Sequence, residues 1–435
     1  MGSGAQRQSM RPQRVPRRAA MPSRTDSVVA AASHVIGGPL GRHAVPGVRG
    51  WRPAAAVLSA LSSVFVALGV LQKNHCVSTG WATPGSLWRA CYSDLPVAVA
   101  GDAGSTPWSS PGSAGQPPLT AAITWIVRIL VPGGSQLRQQ QGMFAWGAAL
   151  IALLIALAVC FTAASLPKGP WAAAHVALSP VLITTALISF DAFAVLLVAA
   201  GLWAWSRNRA ALSGGLLAAA LLTRPALGTV LLAVILVALA RRLTRDLAGV
   251  ALGAAVTFAV VGGLMLISGA NPFASFTTWK AQGASYGSLW QIFSFAGFTL
   301  SPTSLTALAV IGWILAIGLG WLLASRDETM TPAAVALLML VVVMLTSRAL
   351  PVQAALWVLP LVALCAIRWR DHLAWAGAEF AYFVVVWGFI ARSSNSAKAL
   401  PQEWFAVFVA VRLIAVLFLV RACIDSVAGP ARRAK

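Results

Sequence analysis

Charged side chains are scarce in this sequence of 435 residues. Only 10% of the residues are Asp, Glu, Lys or Arg, whereas 58% are hydrophobic and the mean hydropathy is +0.78. A water-soluble domain of this length would need a grossly apolar surface to accommodate such a composition. The composition therefore excludes an ordinary soluble domain and indicates that lipid surrounds most of the chain.

Motifs of nucleotide- and metal-dependent enzymes are also missing. The five histidines are dispersed, no His/Cys cluster or Asp-x-Asp motif occurs, and neither a Walker nor a dinucleotide-binding motif is present. Such motifs have fixed spacings because their side chains must converge on one metal or phosphate group. Nothing favours an ATPase or a redox enzyme, and we expect neither a metal nor a cofactor.

Basic residues supply most of the charge, and the formal net charge is +21. They are scattered between apolar stretches rather than clustered with stacking aromatics, so we expect no nucleic-acid partner. The first 52 residues hold nine Arg against one Asp and are rich in Pro, Gly and Ser. We predict residues 1–52 as a disordered cytoplasmic tail and residues 423–435 as a second cytoplasmic tail.

Apolar runs fill most of residues 53–422. Crossing the hydrocarbon core takes about 20 apolar residues, so runs of about this length predict an all-α polytopic membrane protein with about twelve spans. With the N-terminal tail in the cytoplasm, inner segments carry more than twice as many Lys and Arg as outer ones, which predicts cytoplasmic termini and a plasma (inner) membrane location. The predicted spans are 53–72, 142–163, 171–188, 190–206, 210–223, 226–240, 246–268, 302–323, 331–346, 353–367, 372–391 and 404–422.

Two outer loops are too long to be simple connectors. The first, residues 73–141, ends with an amphipathic stretch at 118–131 that is too short to cross the membrane. We predict this stretch as a juxtamembrane helix lying in the outer interface. The second, residues 269–301, contains several aromatic residues, as an interfacial loop does. Loops of this length usually carry function, so we expect the functional site on the outer side.

Four of the eleven acidic residues are predicted to face outward, namely Asp94, Asp102, Asp191 and Glu403. An outward carboxylate at Asp94 suits a general base that accepts a proton from a hydroxyl, and the alternative is an ordinary solvated loop residue. Asp191 begins a span, where it suits either a helix cap or a polar site. Arg224 and Arg348 end spans at headgroup level, where they suit either a phosphate group or snorkelling to the interface.

Two pairs of residues are predicted to bond to each other. Glu379 and Arg412 lie at similar depths in the last two antiparallel spans, where unpaired charges are costly, so we expect a structural ion pair. Cys76 and Cys91 are the two cysteines on the outer side and share one loop. Because the outer side is not reducing, a disulfide is favoured there.

Several blocks together resemble the actinobacterial mannosyltransferase-like proteins of glycosyltransferase family 87, in the C-type glycosyltransferase superfamily. Cys91-Tyr-Ser-Asp-Leu-Pro96 is similar to the family's first-loop motif, and Leu222-Thr-Arg-Pro225 after Phe190-Asp191 is similar to its central block, where Lys is usual at position 224. Gly287-Ser-Leu-Trp290, Ser347 to Pro360 and the spans of Glu379 and Arg412 resemble later blocks. The resemblance extends over residues 53 to 422.

This resemblance implies a C-type glycosyltransferase fold and an inverting transfer of a sugar, most often mannose, from a polyprenyl-phosphate donor. The acceptor would be a lipid-linked or cell-envelope glycan. Asp94 would be the catalytic base, with Arg224 and Arg348 on the donor phosphate. The sugar and acceptor site would include Tyr92, Asp191, Trp290 and Gln353. Two alternatives stay open, a lipid or sugar transporter or flippase and a non-catalytic scaffold for envelope assembly.

Overall fold

The computed structural model describes residues 26–41, 50–100, 104–110, 115–167 and 169–432, and the regular elements in these ranges are helices. Three short 3-10 turns accompany the α-helices. The α-helices are α1 (Ser27–Gly41), α2 (Arg52–Gln72), α3 (Asn74–Thr79), α4 (Gly85–Trp88), α5 (Asp94–Val97), α6 (Pro118–Ile129), α7 (Gln136–Ser165), α8 (Ala174–Ala177), α9 (Val181–Thr185), α10 (Asp191–Ser206), α11 (Ala210–Thr223), α12 (Gly228–Ala240), α13 (Thr244–Ile267), α14 (Ala274–Ala281), α15 (Leu289–Phe295), α16 (Pro302–Arg326), α17 (Pro332–Thr346), α18 (Ala354–Cys365), α19 (Trp369–Ile390) and α20 (Gln402–Arg432).

Six described helices are long and apolar enough to cross a membrane, namely α2, α7, α13, α16, α19 and α20. The chain is therefore a helical membrane protein. Five further predicted spans correspond to shorter apolar helices, α10, α11, α12, α17 and α18. Among the shorter helices α17 and α18 are mostly buried, with 11 of 15 and 11 of 12 residues, whereas 17 to 39% of the apolar window of each long helix is buried. The bundle thus has a core of short helices enclosed by long ones.

The predicted span 171–188 is wrong as a single helix. The chain there forms a 3-10 turn at Pro170–Ala173 and then the short helices α8 and α9. Pro170 and Pro180 lack a backbone N–H, and a proline cannot continue a preceding helical turn. Val176, Ala177 and Leu182 are fully buried, so the run is apolar because it passes through the core of the bundle.

Close contact between α11 and α13 depends on small residues. A Cβ atom on Gly214 would collide with the carbonyl of Val250, and one on Gly253 would collide with the carbonyl of Ala211. Small residues of this kind let two membrane helices approach until their backbones touch. The contact fixes α11, whose C-terminal end leads into the predicted site at Arg224.

The two predicted tails are partly helical. Residues 27–41 form α1, and Asp26 Oδ2 accepts a hydrogen bond from the backbone N–H of Trp369 at 2.8 Å. Val28 and Val29 pack against the core at the predicted inner side. Residues 423–432 continue α20. Residues 27–41 are therefore helical where the sequence predicted a disordered tail, and residues 1–25 and 42–49 of that tail lie outside the described residues. Residues 433–435 of the predicted C-terminal tail also lie outside them.

The first outer loop folds against the bundle. The predicted juxtamembrane helix is α6, and its Thr120 hydroxyl donates to the carbonyl of Thr223 at 2.8 Å, at the end of α11. Residues 104–110 lie over α6, where Trp108 Nε1 donates to the carbonyl of Pro118 at 3.0 Å. Asp102 lies outside the described residues. The loop thus brings α5 and α6 to the end of the bundle that also carries Arg224.

Candidate functional site

The backbone around Asp94 is held by the chain that follows α9. The Ser93 hydroxyl donates to the carbonyl of Leu187 at 2.7 Å, and the backbone N–H of Asp94 donates to the carbonyl of Ile188 at 2.7 Å. Ser93 also caps α5, since its hydroxyl accepts from the backbone N–H of Leu95 at 3.3 Å. These bonds join the first outer loop to the chain three to four residues before the start of α10, which begins at Asp191.

The segment before Asp94 is tied to the end of α2. Cys76 and Cys91 form the predicted disulfide, with their Cα atoms 5.9 Å apart. Lys73 is fully buried, and its Nζ donates to the carbonyl of Tyr92 at 2.8 Å. Burial lowers the pKa of Lys73 to about 7, against the attraction of the Asp94 carboxylate. The disulfide and the buried Lys73 amine therefore fix the backbone segment that precedes Asp94.

The Asp94 carboxylate faces a cavity of about 400 Å³. The Asp94 side chain is exposed to water where it lines this cavity, although protein atoms lie close around its carboxylate. Burial raises the pKa of Asp94, while a hydrogen bond from the Tyr92 hydroxyl and the charges of Arg224 and Lys73 act in the opposite direction. A water-accessible carboxyl with a raised pKa is a suitable general base.

The buried Asp191 and the partly buried Arg224 form an ion pair beside this cavity. Arg224 Nε donates to Asp191 Oδ1 and Arg224 Nη2 donates to Asp191 Oδ2, both at 2.7 Å. Trp357 Nε1 donates to Oδ1 at 2.6 Å, and the Ser189 hydroxyl donates to Oδ2. Phe190 is the N-cap of α10 and no side chain caps this end, so Asp191 is part of a polar site rather than a helix cap.

Two cavities meet at Arg224 and Gln353, which line both. The polar cavity is the one that contains Asp94; it is also lined by Gln116, Thr120, Thr124, Arg128 and Ser189. The apolar cavity, also of about 400 Å³, is lined by side chains that include Phe276, Trp279, Trp313, Met344 and Trp357. Among the described residues no hydrogen bond uses Nη1 of Arg224, so this nitrogen is available where the cavities meet.

Arg348 is not at either cavity, so the prediction that it holds a phosphate is not supported by its position. Its Nη1 donates to the carbonyls of Trp279 and Lys280 at 2.9 and 3.1 Å, and its Nη2 donates to the Thr306 hydroxyl at 2.7 Å. Trp279 and Lys280 lie in the last turn of α14, where an Arg side chain commonly satisfies free carbonyls. Arg348 is fully buried and holds the second outer loop.

Trp290 also lines neither cavity, and its Nε1 donates to the carbonyl of Thr346 at 3.1 Å. Glu379 and Arg412 form the predicted ion pair, with Arg412 Nε 2.8 Å from Glu379 Oε2. Gly287 has a φ of +79° and lies against Arg412, the hydroxyl of Tyr382 and the carbonyl of Leu350, so no side chain would fit at this position. This part of the second loop is structural.

Arg128 is the site residue that the sequence predictions missed. Thr120, Thr124 and Arg128 follow one another at a spacing of four residues on α6, so they share one face of the helix, and all three line the polar cavity. This spacing of polar residues within an apolar helix was the available signal. Among the described residues there is no group of three or more His, Cys, Asp or Glu side chains that could hold a metal.

No protein-family model matches the chain, and no curated protein matches it. What the site can do chemically is therefore inferred from the arrangement of its residues. One carboxylate with access to water, one available guanidinium edge and an adjoining apolar cavity lie at the same end of the bundle. Such an arrangement suits an amphiphilic ligand whose charged group lies between a polar part and an apolar chain.

Proposed function

We propose that the protein is an inverting glycosyltransferase that moves a sugar, mannose by the family resemblance, from a polyprenyl-phosphate donor to a lipid-linked or envelope glycan on the outer face of the membrane. The observation that carries the proposal is the meeting of a polar and an apolar cavity at Arg224. A polyprenyl-phosphate sugar has the same order of groups, because its phosphate joins a polar sugar to an apolar chain. The resemblance to C-type glycosyltransferases supports the same assignment.

In the proposed reaction, Asp94 accepts the proton of the acceptor hydroxyl while that oxygen attacks the anomeric carbon. The bond between this carbon and the phosphate oxygen breaks, and the polyprenyl phosphate leaves with the electron pair. Attack opposite the leaving group inverts the anomeric centre. In this scheme Nη1 of Arg224 stabilises the phosphate as its charge increases, which is the usual role of a fixed cation in group transfer. Neither a metal nor a cofactor takes part in this scheme.

The direct test uses the purified full chain in nanodiscs with radiolabelled polyprenyl-phosphate mannose. The acceptor is a lipid extract from cells that lack the gene, so that unglycosylated acceptor accumulates. We expect label to pass into a new glycolipid, and Asp94→Asn to prevent this transfer. Donor binding without any transfer by the wild-type protein would contradict the enzyme assignment. Movement of donor lipid between leaflets would then favour the flippase alternative, and its absence would favour the scaffold.

A further inference from the structure

We propose that Arg128 forms a second anion-binding site, which holds a phosphate-type group of the acceptor and so selects an anionic acceptor lipid. This inference rests on the proposed function for the identity of the acceptor. It concerns a residue on α6 that lines the polar cavity but not the apolar one. The donor phosphate, whose chain would occupy the apolar cavity, is assigned to Arg224 instead.

The charge balance of the polar cavity is the first argument. Arg224 has a carboxylate partner in Asp191, whereas Arg128 makes its one hydrogen bond within the described chain to a neutral group, Gln139 Oε1, which accepts from Nη2 at 3.2 Å. Gln139 is itself held, because its Nε2 donates to the carbonyl of Gly134 at 2.9 Å. Among the described residues Arg128 is therefore a fixed cation without a counterion, in a place where a ligand can supply one.

The available donors are the second argument. The Nε atom of Arg128 is buried and has no hydrogen-bond partner in the described part of the chain, so a donor there is removed from bulk water and left unsatisfied. A buried donor without a partner destabilises the protein, and an anionic oxygen would relieve that cost. A guanidinium also presents parallel donors that match the oxygens of a phosphate group.

The position of α6 is the third argument, and it points to a lipid as the source of the anion. Ile126, Ile129 and Leu130 each expose about half of their side chains on the face of α6 away from the cavity. An amphipathic helix with such a face lies at the level of the lipid headgroups. A lipid headgroup is therefore the source of the anion that fits the position of Arg128.

The test measures binding rather than transfer, so its failure differs from failure of the proposed function. The probes are phosphatidylglycerol, polyprenyl monophosphate and, as a neutral reference, phosphatidylcholine, each titrated onto the purified full chain in neutral detergent by native mass spectrometry. Arg128→Ala should weaken phosphatidylglycerol binding by roughly 10- to 100-fold, the usual effect of losing a charge-assisted contact. Polyprenyl monophosphate binding should be unchanged.

Arg138→Ala is the matched control, because Arg138 is exposed on the neighbouring helix α7 and loses the same charge. It should leave the binding of all three lipids unchanged. Arg128→Lys keeps the charge but not the paired donors, so it should weaken phosphatidylglycerol binding less than the Ala variant while preserving the fold. Unchanged phosphatidylglycerol binding in both Arg128 variants would overturn the site, and a selective loss of polyprenyl monophosphate binding would overturn its assignment to the acceptor.

Discussion

Two Arg–carboxylate pairs lie in different surroundings, one partly open and one fully buried, and the contrast separates ligand binding from structure. In the open pair, Arg224 Nε is 2.7 Å from Asp191 Oδ1, and in the closed pair, Arg412 Nε is 2.8 Å from Glu379 Oε2. Arg224 lines both cavities, whereas Arg412 is fully buried and its Nη2 donates to the carbonyl of Pro351 at 2.8 Å. Burial of an ion pair therefore does not identify a site by itself. The free edge of the guanidinium does.

Loss of the Asp94 carboxylate should give the largest effect on turnover, and it should leave the closed pair unchanged. Asp94→Asn keeps the volume of the side chain but cannot accept the acceptor proton, so turnover should fall by roughly 10² to 10⁴-fold. Donor binding and thermal stability should stay at the wild-type level. Glu403→Gln is the control, because Glu403 is an exposed carboxylate on the same predicted side. A wild-type turnover number for Asp94→Asn in the radiolabel assay would remove Asp94 from the reaction.

Removal of the Arg side chain should destabilise the protein more at the closed pair than at the open pair. Arg412→Met leaves Glu379 buried without its cation and two carbonyls without a donor, so the free energy of unfolding should fall by about 3 to 5 kcal/mol. Arg224→Met should be milder, since Trp357 and Ser189 still donate to Asp191. Thermal unfolding of both variants in one detergent provides the measurement. Equal losses of stability would show that the open pair is as structural as the closed one.

Donor affinity should depend on Arg224 and not on Arg348. The double change Asp191→Asn with Arg224→Gln avoids a buried unpaired charge, and it should weaken donor binding by about 1.5 to 3 kcal/mol, the usual value for a charged hydrogen bond. Arg348→Gln is the comparison, because Arg348 lines neither cavity and should leave the donor Kd unchanged. Titration of polyprenyl monophosphate onto each variant decides the matter. A weaker donor Kd in Arg348→Gln alone would restore the sequence prediction for that residue.

A smaller effect is expected on the pH profile. Asp94 must be deprotonated to act as a base, so activity should fall as the pH decreases through its raised pKa. The Tyr92 hydroxyl lowers that pKa, so Tyr92→Phe should raise it and move the acidic limb of the kcat profile to higher pH. Turnover on the alkaline plateau should change little. An acidic limb that stays in place would mean that Tyr92 does not bond to the ionised carboxylate.

The sequence predicted those features that depend on depth and sidedness. Counting residues from the span ends was enough to pair Glu379 with Arg412, and the predicted orientation was enough to pair Cys76 with Cys91. The breaks in the predicted span 171–188 were missed because a buried, irregular segment is as apolar as a membrane span. Whether twelve spans cross the membrane stays a prediction, since six helices meet the length and hydropathy expected of one.

Site residues were harder to predict because the direction of a side chain is not visible in the sequence. Arg224 and Arg348 both end predicted spans, yet one faces two cavities and the other satisfies the carbonyls at the end of α14. Their surroundings come from loops distant in sequence, which no local pattern reveals. Arg128 was missed for the opposite reason, since its signal was local but looked like an ordinary end of an amphipathic helix.

If α6 lies in the membrane interface as the sequence predicts, the hydrogen bond from Thr120 to the carbonyl of Thr223 links the membrane surface to the geometry of the site. Thr120 lies on α6, and Thr223 is the residue directly before Arg224. A change in bilayer thickness that tilts α6 would therefore displace the backbone that carries the donor-facing guanidinium. The thickness of the surrounding bilayer would then change the distance between Arg128 and Arg224, and with it how well the two substrates fit the site.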